Sequence, residues 1–202
     1  MKLISLALSG GAFALAIGLA LVRAEAPGPE CPVQAAPSAP SGSAPSGPGA
    51  TLAHVRNEFE FTVHAPYAKA APLFGADAER AWAGKDWNPR FLFPASAPFD
   101  VPGAVFTIEH GGHHATWVCT IFDLKAGRVQ YVYTIGGAVA TLIDIRLFAP
   151  DSKSTQVQVV YERTALKPEA NDHVKEMGES DRNSGKEWQE AIDRYLKTTP
   201  GE

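Results

Sequence analysis

What most limits the folds open to this chain is the order of patterns across residues 105–197, where runs that alternate at strand period give way to one long helical pattern. Alternation puts every second side chain on one face of a sheet, whereas apolar residues three and four apart form a stripe along a helix. In the helical part, Ala170, Val174, Met177, Asp181, Ser184, Gly185, Trp188, Ile192 and Tyr195 share a face, and Lys175, Glu179, Arg182, Lys186, Glu190 and Lys197 lie away from it. The stripe is apolar at both ends and small or polar in the middle. A helix that only fills a core has no use for such a middle. The pattern therefore predicts a curved sheet wrapped around the helix, with a cavity beside Asp181, Ser184 and Gly185.

The remaining patterns set the other elements. Residues 58–64 alternate, with Phe59, Phe61 and Val63 on one face, and read as a first strand. Pro66 suits the first position of a short helix over residues 67–74, and a second helical stub follows at 76–83. Residues 87–94 hold too many prolines for a central strand and read as a loop carrying aromatic anchors. Strands are predicted at 104–110, 115–124, 128–135, 141–148 and 155–164. The turns between them, among them Gly111-Gly112 and Gly136-Gly137, are short enough for consecutive antiparallel hairpins. Pro168 opens the final helix. The order of strand, two short helices, meander and long helix is an α+β arrangement with the last helix packed across the sheet.

With 202 residues, 45% of them hydrophobic, the chain has material for one cored domain plus appendages. A net charge of −4 without any Lys/Arg cluster argues against a nucleic-acid platform. Residues 3–22 are almost wholly apolar or small, flanked by Lys2 and Arg23. They read as a signal peptide cut after Ala24, with Val22 and Ala24 at the small-residue positions, or as a retained anchor long enough to span a bilayer. Either reading places the globular part outside the cytoplasm, periplasmic or secreted, with a membrane tether in the second case. Residues 25–50 are rich in Pro, Ala, Ser and Gly and read as a disordered linker, since such a segment cannot bury enough to offset its ordering entropy. Cys31 within it lacks the small residues that normally precede a lipid-modified cysteine and reads as a free or intermolecular thiol. Cys119 reads as a small buried hydrophobe. The domain proper spans residues 51–199.

Ala65-Pro66 after the first strand, Trp82 and Trp87 around a Gly-Lys-Asp spacer, Pro89-Arg90-Phe91, Pro102-Gly103-Ala104-Val105-Phe106, His110-Gly111-Gly112 and Thr116-Trp117-Val118 are packing and turn motifs. With the element order, they make residues 58–196 resemble the START-related, pollen-allergen-like helix-grip superfamily (SRPBCC), which includes polyketide cyclase-like proteins. The resemblance implies a seven-stranded antiparallel sheet gripping the C-terminal helix and a cavity that admits an apolar or aromatic small molecule. It carries over no catalytic residue, because one scaffold of this kind serves many functions.

The candidate ligand-binding residues are Trp82, Trp87, Trp117, Tyr131, Tyr133, Tyr161, Asp181, Ser184, Gly185 and Trp188. Aromatic rings supply an apolar wall and phenol hydroxyls can orient a ligand, although the same rings also serve as plain core. Asp181 on the inner stripe is the candidate polar anchor; the competing reading pairs it with an arginine such as Arg90 or Arg146. Residues 109–114 hold the one cluster with metal-ligand chemistry, where a hairpin turn sets His110 and His113 on the same side. Two ligands on an exposed turn make a weak site, so the cluster reads as a solvated hairpin tip and no metal or cofactor is assigned. The functional expectation is extracytoplasmic binding of a hydrophobic or aromatic small molecule. The alternative is a cyclase, dehydratase or hydrolase using Asp181 and a pocket tyrosine as acid and base.

Overall fold

The computed structural model describes residues 51–110 and 112–199, with the side chain of His110 left aside. The expected leader, linker and Cys31 lie outside these residues. Seven antiparallel strands form one sheet in the order β1-β7-β6-β5-β4-β3-β2. They are β1 (His54–Val63), β2 (Arg90–Phe93), β3 (Val105–His110), β4 (His113–Asp123), β5 (Arg128–Ile135), β6 (Val139–Phe148) and β7 (Thr155–Ala165). Strands β3 to β7 follow one another as hairpins, and β1 closes the array against β7. The alternation is strict in β6 and β7, where Val139, Thr141, Ile143, Ile145 and Leu147, and Thr155, Val157, Val159, Tyr161, Arg163 and Ala165, all point inward.

Between β1 and β2 the chain makes the four-residue helix α1 (Tyr67–Ala70) and two 3-10 helices, Ala71–Phe74 and Ala78–Ala81. After β7 come a 3-10 turn at Pro168–Ala170, α2 (Asn171–Asp181) and α3 (Ser184–Thr198). Both α2 and α3 lie against β1. This is the helix-grip architecture, α+β, with a curved sheet around C-terminal helices. Among the described residues, no helix is long and apolar enough to cross a membrane.

Several elements differ from expectation, each for a physical reason. The segment read as a loop at residues 87–94 contains β2. Its prolines, Pro89 and Pro94, flank the strand, and an edge strand pairing only with β3 needs no ladder on its other side. The first strand begins at His54, because outward charges such as Arg56 and Glu58 are tolerated on a solvent-facing edge. The single long helix is two helices, and Pro168 opens a 3-10 turn ahead of them. The break at Arg182 and Asn183 falls in the stretch Gly178 to Gly185, where Gly, Ser, Asp and Asn are weak helix formers and packing decides the path.

Candidate functional site

The pairing register builds the polar part of the concave face. Trp117 on β4 faces Tyr133 on β5, Tyr133 faces Thr141 on β6, and Thr141 faces Arg163 on β7. This row sets a guanidinium beside two hydroxyls. Arg163 donates to the Tyr133 hydroxyl at 2.5 Å and to Thr141 Oγ1 at 3.2 Å. Its other nitrogens make a bidentate pair with Asp181 at the end of α2, at 2.8 and 2.6 Å. Both partners are buried, at 5% and 4% exposure. Asn57 on β1 completes the knot by donating to the Gly178 carbonyl at 2.7 Å and to Asp181 at 3.5 Å. Burial alone would lower the Arg163 pKa, but the hydrogen bonds it donates to Asp181 outweigh it and hold the guanidinium protonated. Its charge also lies 4.5 Å from the centre of the Tyr161 ring, a cation–π contact.

The expected role of Asp181 as a free anchor is therefore corrected. Its carboxylate is consumed by Arg163, neither Arg90 nor Arg146 being the partner. The space expected beside Gly185 is also absent: a methyl group there would stand 2.9 Å from Phe59 Cδ2, so the glycine lets α3 lie close on the β1 ring. Ser184, one residue earlier, is half-buried at the start of α3.

The aromatic candidates fall into two groups on the concave face. Trp188 meets Phe59, Trp82 and Tyr161 edge-on, with centroids at 5.9, 5.7 and 6.4 Å. Trp117 stacks on Tyr133 at 4.0 Å and meets the edge of Trp87 at 5.4 Å, while Tyr131 adjoins Phe106 at 6.1 Å. Three of the polar tips are anchored to backbone: Trp82 Nε1 donates to the Leu73 carbonyl, Trp87 Nε1 to Ala76 and the Tyr131 hydroxyl to Phe74. The Tyr131 bond ties the first 3-10 helix to β5, and the two indole bonds hold the β1–β2 connection together. The indole N–H groups of Trp117 and Trp188 are buried without an acceptor among the described residues.

Sequence reading missed one acidic group. Glu79 lies on the 3-10 helix Ala78–Ala81 and is only 5% exposed. Burial, reinforced by the nearby Asp100 carboxyl, raises its pKa well above the usual carboxylate range. The same burial raises Tyr131 and Tyr161, with Glu79 adding to both; for Tyr161 the Arg163 charge pulls the other way. Cys119, beside Tyr131, is pushed up to about 12 by burial and is a buried thiol rather than a nucleophile. No periodic signal could have exposed Glu79, since a four-residue 3-10 helix is too short to show one. Arg163 was legible: it shares the inward parity of Val157, Val159 and Tyr161.

At the hairpin between β3 and β4, His110 and His113 are paired in register, and Glu109 meets His114 on the other side. The His113 ring lies near that of His173 on α2, with centroids 6.4 Å apart. No group of three metal-ligating side chains occurs among the described residues. A separate concavity of about 270 Å³, lined by Ala126, Gly127, Arg128, Arg146 and Phe148, opens on the outer side of the sheet.

No family model and no curated protein sequence matches the chain. Solved structures do. An uncharacterized protein from Rhizobium leguminosarum superposes with a TM-score of 0.53 at 16% identity, covering 74% of this chain and 98% of the other. Norcoclaurine synthase from Thalictrum flavum, in complex with dopamine and hydroxybenzaldehyde, gives 0.55 at 11% identity, covering 75% and 91%. Ara h 8.0201 gives 0.53 at 14% identity, covering 73% and 100%. These likenesses show the helix-grip fold.

Proposed function

We propose that this chain binds a hydrophobic or aromatic small molecule on the concave face, between the sheet and α3. The observation that carries this reading is the ring-lined interior with two buried indole donors, Trp117 and Trp188, left without acceptors among the described residues. Buried polar groups normally find partners, and a ligand acceptor would supply one. Trp82, Trp87, Tyr131, Tyr133 and Tyr161 contribute the wall; Asp181 acts through Arg163 to fix Tyr133 rather than touching the ligand. That a similar fold holds two aromatic compounds in norcoclaurine synthase supports the reading at the level of scaffold use. Titration with N-phenyl-1-naphthylamine tests it: saturable uptake with one site per chain, accompanied by quenching of tryptophan emission, is expected. Absence of saturable uptake would sink the proposal.

A second reading, acid–base catalysis on such a ligand in the manner of a cyclase, dehydratase or hydrolase, is favoured by one feature. Glu79 and the Tyr131 and Tyr161 phenols act on one another's charge in the same interior, and these are the kinds of group that acid–base chemistry uses. The setting we propose is extracytoplasmic, with residues 3–22 serving as export signal or tether. A reporter fused to residues 1–50 should be exported, and retention of the reporter in the cytoplasm would overturn that assignment.

A further inference from the structure

The pairing register sets a row of polar side chains across the outer face of the sheet: Asp123 on β4 faces Arg128 on β5, Arg128 faces Arg146 on β6, Arg146 faces Gln158 on β7, and Gln158 faces Glu60 on β1. Two arginines thus stand directly opposite each other, where Cβ atoms are about 4.5–5.5 Å apart and like charges are destabilising. The acids of this face do not relieve both. Asp144, two residues before Arg146 on the same face, gives its two oxygens to Arg128, at 3.2 and 3.1 Å. Asp123 accepts from the backbone N–H groups of Lys125 and Ala126, and Glu60 accepts from the amides of Gln156 and Gln158. Arg146 is exposed and enters none of the ion pairs found among the described residues.

Beside these two arginines the surface is hollow. The concavity of about 270 Å³ is lined by Arg128, Arg146, Phe148 and the turn residues Ala126 and Gly127, so its lining brings two cations and a ring together without an acid. The turn leaves the hollow uncovered, because Ala126 and Gly127 together add one methyl group. It is also latched close to β6: the Leu147 N–H donates to the Gly127 carbonyl at 2.8 Å, Gly127 has a φ of +67°, and a Cβ there would collide with the Leu147 carbonyl oxygen. Only glycine allows that approach. Phe148, two residues after Arg146, shares its face of β6 and is 45% exposed.

We propose that this outer hollow binds a small aromatic carboxylate, at a site separate from the concave face and independent of the reading given for it. The planar carboxylate takes the free fork of Arg146 in two parallel N–H bonds, Arg128 adds a second positive charge, and the ring of the ligand packs on Phe148. A bound anion also relieves the repulsion between the two arginines. Size narrows the ligand further: the hollow falls below the ~300–1,000 Å³ of drug-sized pockets, which suits one ring or two fused rings and excludes a nucleotide. A membrane surface is the poorer occupant, since anionic headgroups are recognised by clusters of roughly four to eight basic residues, and of the two here Arg128 is already paired.

The test titrates the full-length protein with 2-naphthoate and follows the ligand by saturation-transfer NMR. Wild-type protein should bind it saturably, and Arg146→Gln should weaken binding about tenfold, the worth of one hydrogen bond to a charged group. Phe148→Ala should weaken it about fivefold, as loss of one aromatic pair does. Both side chains are exposed, so both variants should keep the wild-type melting temperature. Lys186→Gln removes the same charge from the exposed side of α3 and should leave the affinity unchanged. Affinity unchanged in Arg146→Gln would place the naphthoate elsewhere, the concave face included, and overturn the site. An equal loss in Lys186→Gln would overturn it too, by showing only the pull of overall charge. Affinity unchanged in Phe148→Ala would overturn the aromatic ligand class, and no saturable binding to wild-type protein at millimolar naphthoate would overturn the whole proposal while leaving the concave-face reading to its own titration.

Discussion

Arg163 and Asp181 form a bidentate ion pair shut away from solvent. Removing one partner leaves an uncompensated buried ion, so Asp181→Ala should cost about 3 to 5 kcal/mol. Replacing both with apolar residues of similar size, Arg163→Met with Asp181→Leu, should recover much of that loss, since desolvation of the pair largely cancels its attraction. Urea denaturation of the single and double variants measures this directly, and a double variant no better than the single would show that Tyr133, Thr141 and Asn57 depend on the ions for their own arrangement. Glu79 behaves in the opposite sense. Its folded-state pKa is raised, so the stability linked to its protonated form is fully present below its unfolded value near 4.5 and is lost as pH rises through the folded value. Glu79→Gln should therefore melt higher than wild type at pH 7 and show no such advantage at pH 4. A calorimetric difference of the same size at both pH values would mean that Glu79 is ionised in the fold. At this scale the sequence was only partly readable. Helical spacing put Asp181 on the inner stripe, but the arginines named for it were Arg90 and Arg146; Arg163 has inward strand parity, and its meeting with Asp181 depends on where α2 ends. Glu79 had no pattern to betray it.

The elements themselves were more legible, because alternation over eight to eleven residues is hard to satisfy any other way; β5, β6 and β7 sit where their patterns put them. What the patterns could not show is how near two elements approach. Gly178 on α2 marks such a place. A methyl group there would stand 2.5 Å from Val55 Cγ1 and 3.2 Å from the Asn57 amide nitrogen. Gly178→Ala would gain about 1 kcal/mol of helix propensity. Against this, overpacking costs about 1 to 3 kcal/mol, and the stiff β-branched valine has little freedom to move aside. The expected outcome is net destabilisation, relieved when Val55→Ala is added. A stabilised Gly178→Ala would show that α2 rides further from β1 in solution. Gly185 follows the same logic against Phe59, so the small residues that suggested a cavity instead record close packing of helix on strand.

For the whole molecule, the fold class followed from the order of patterns, and the superposition on helix-grip structures agrees with it. The edge strand β2 escaped because prolines on either side of four residues look like a loop unless the free edge is known. Function was less legible, since the curved sheet gathers Trp82, Trp188 and Tyr161 from three distant stretches, and their mutual geometry depends on sheet curvature. The described residues bury a continuous core running from Phe61 and Val63 through β5, β6 and β7 to Val174, Trp188 and Ile192. Between positions 25 and 50 the sequence offers almost no large apolar side chain with which to extend that core. Deleting residues 1–50 should therefore change the unfolding free energy by less than about 1 kcal/mol, as for surface changes that remove no buried area. The melting temperature and the slope of urea unfolding should both hold, because that slope tracks the surface exposed on unfolding. A loss beyond this, or a smaller slope in the truncated chain, would mean that the Pro-rich segment docks on the domain and buries surface there; restoring residues 25–50 alone would then identify the segment responsible.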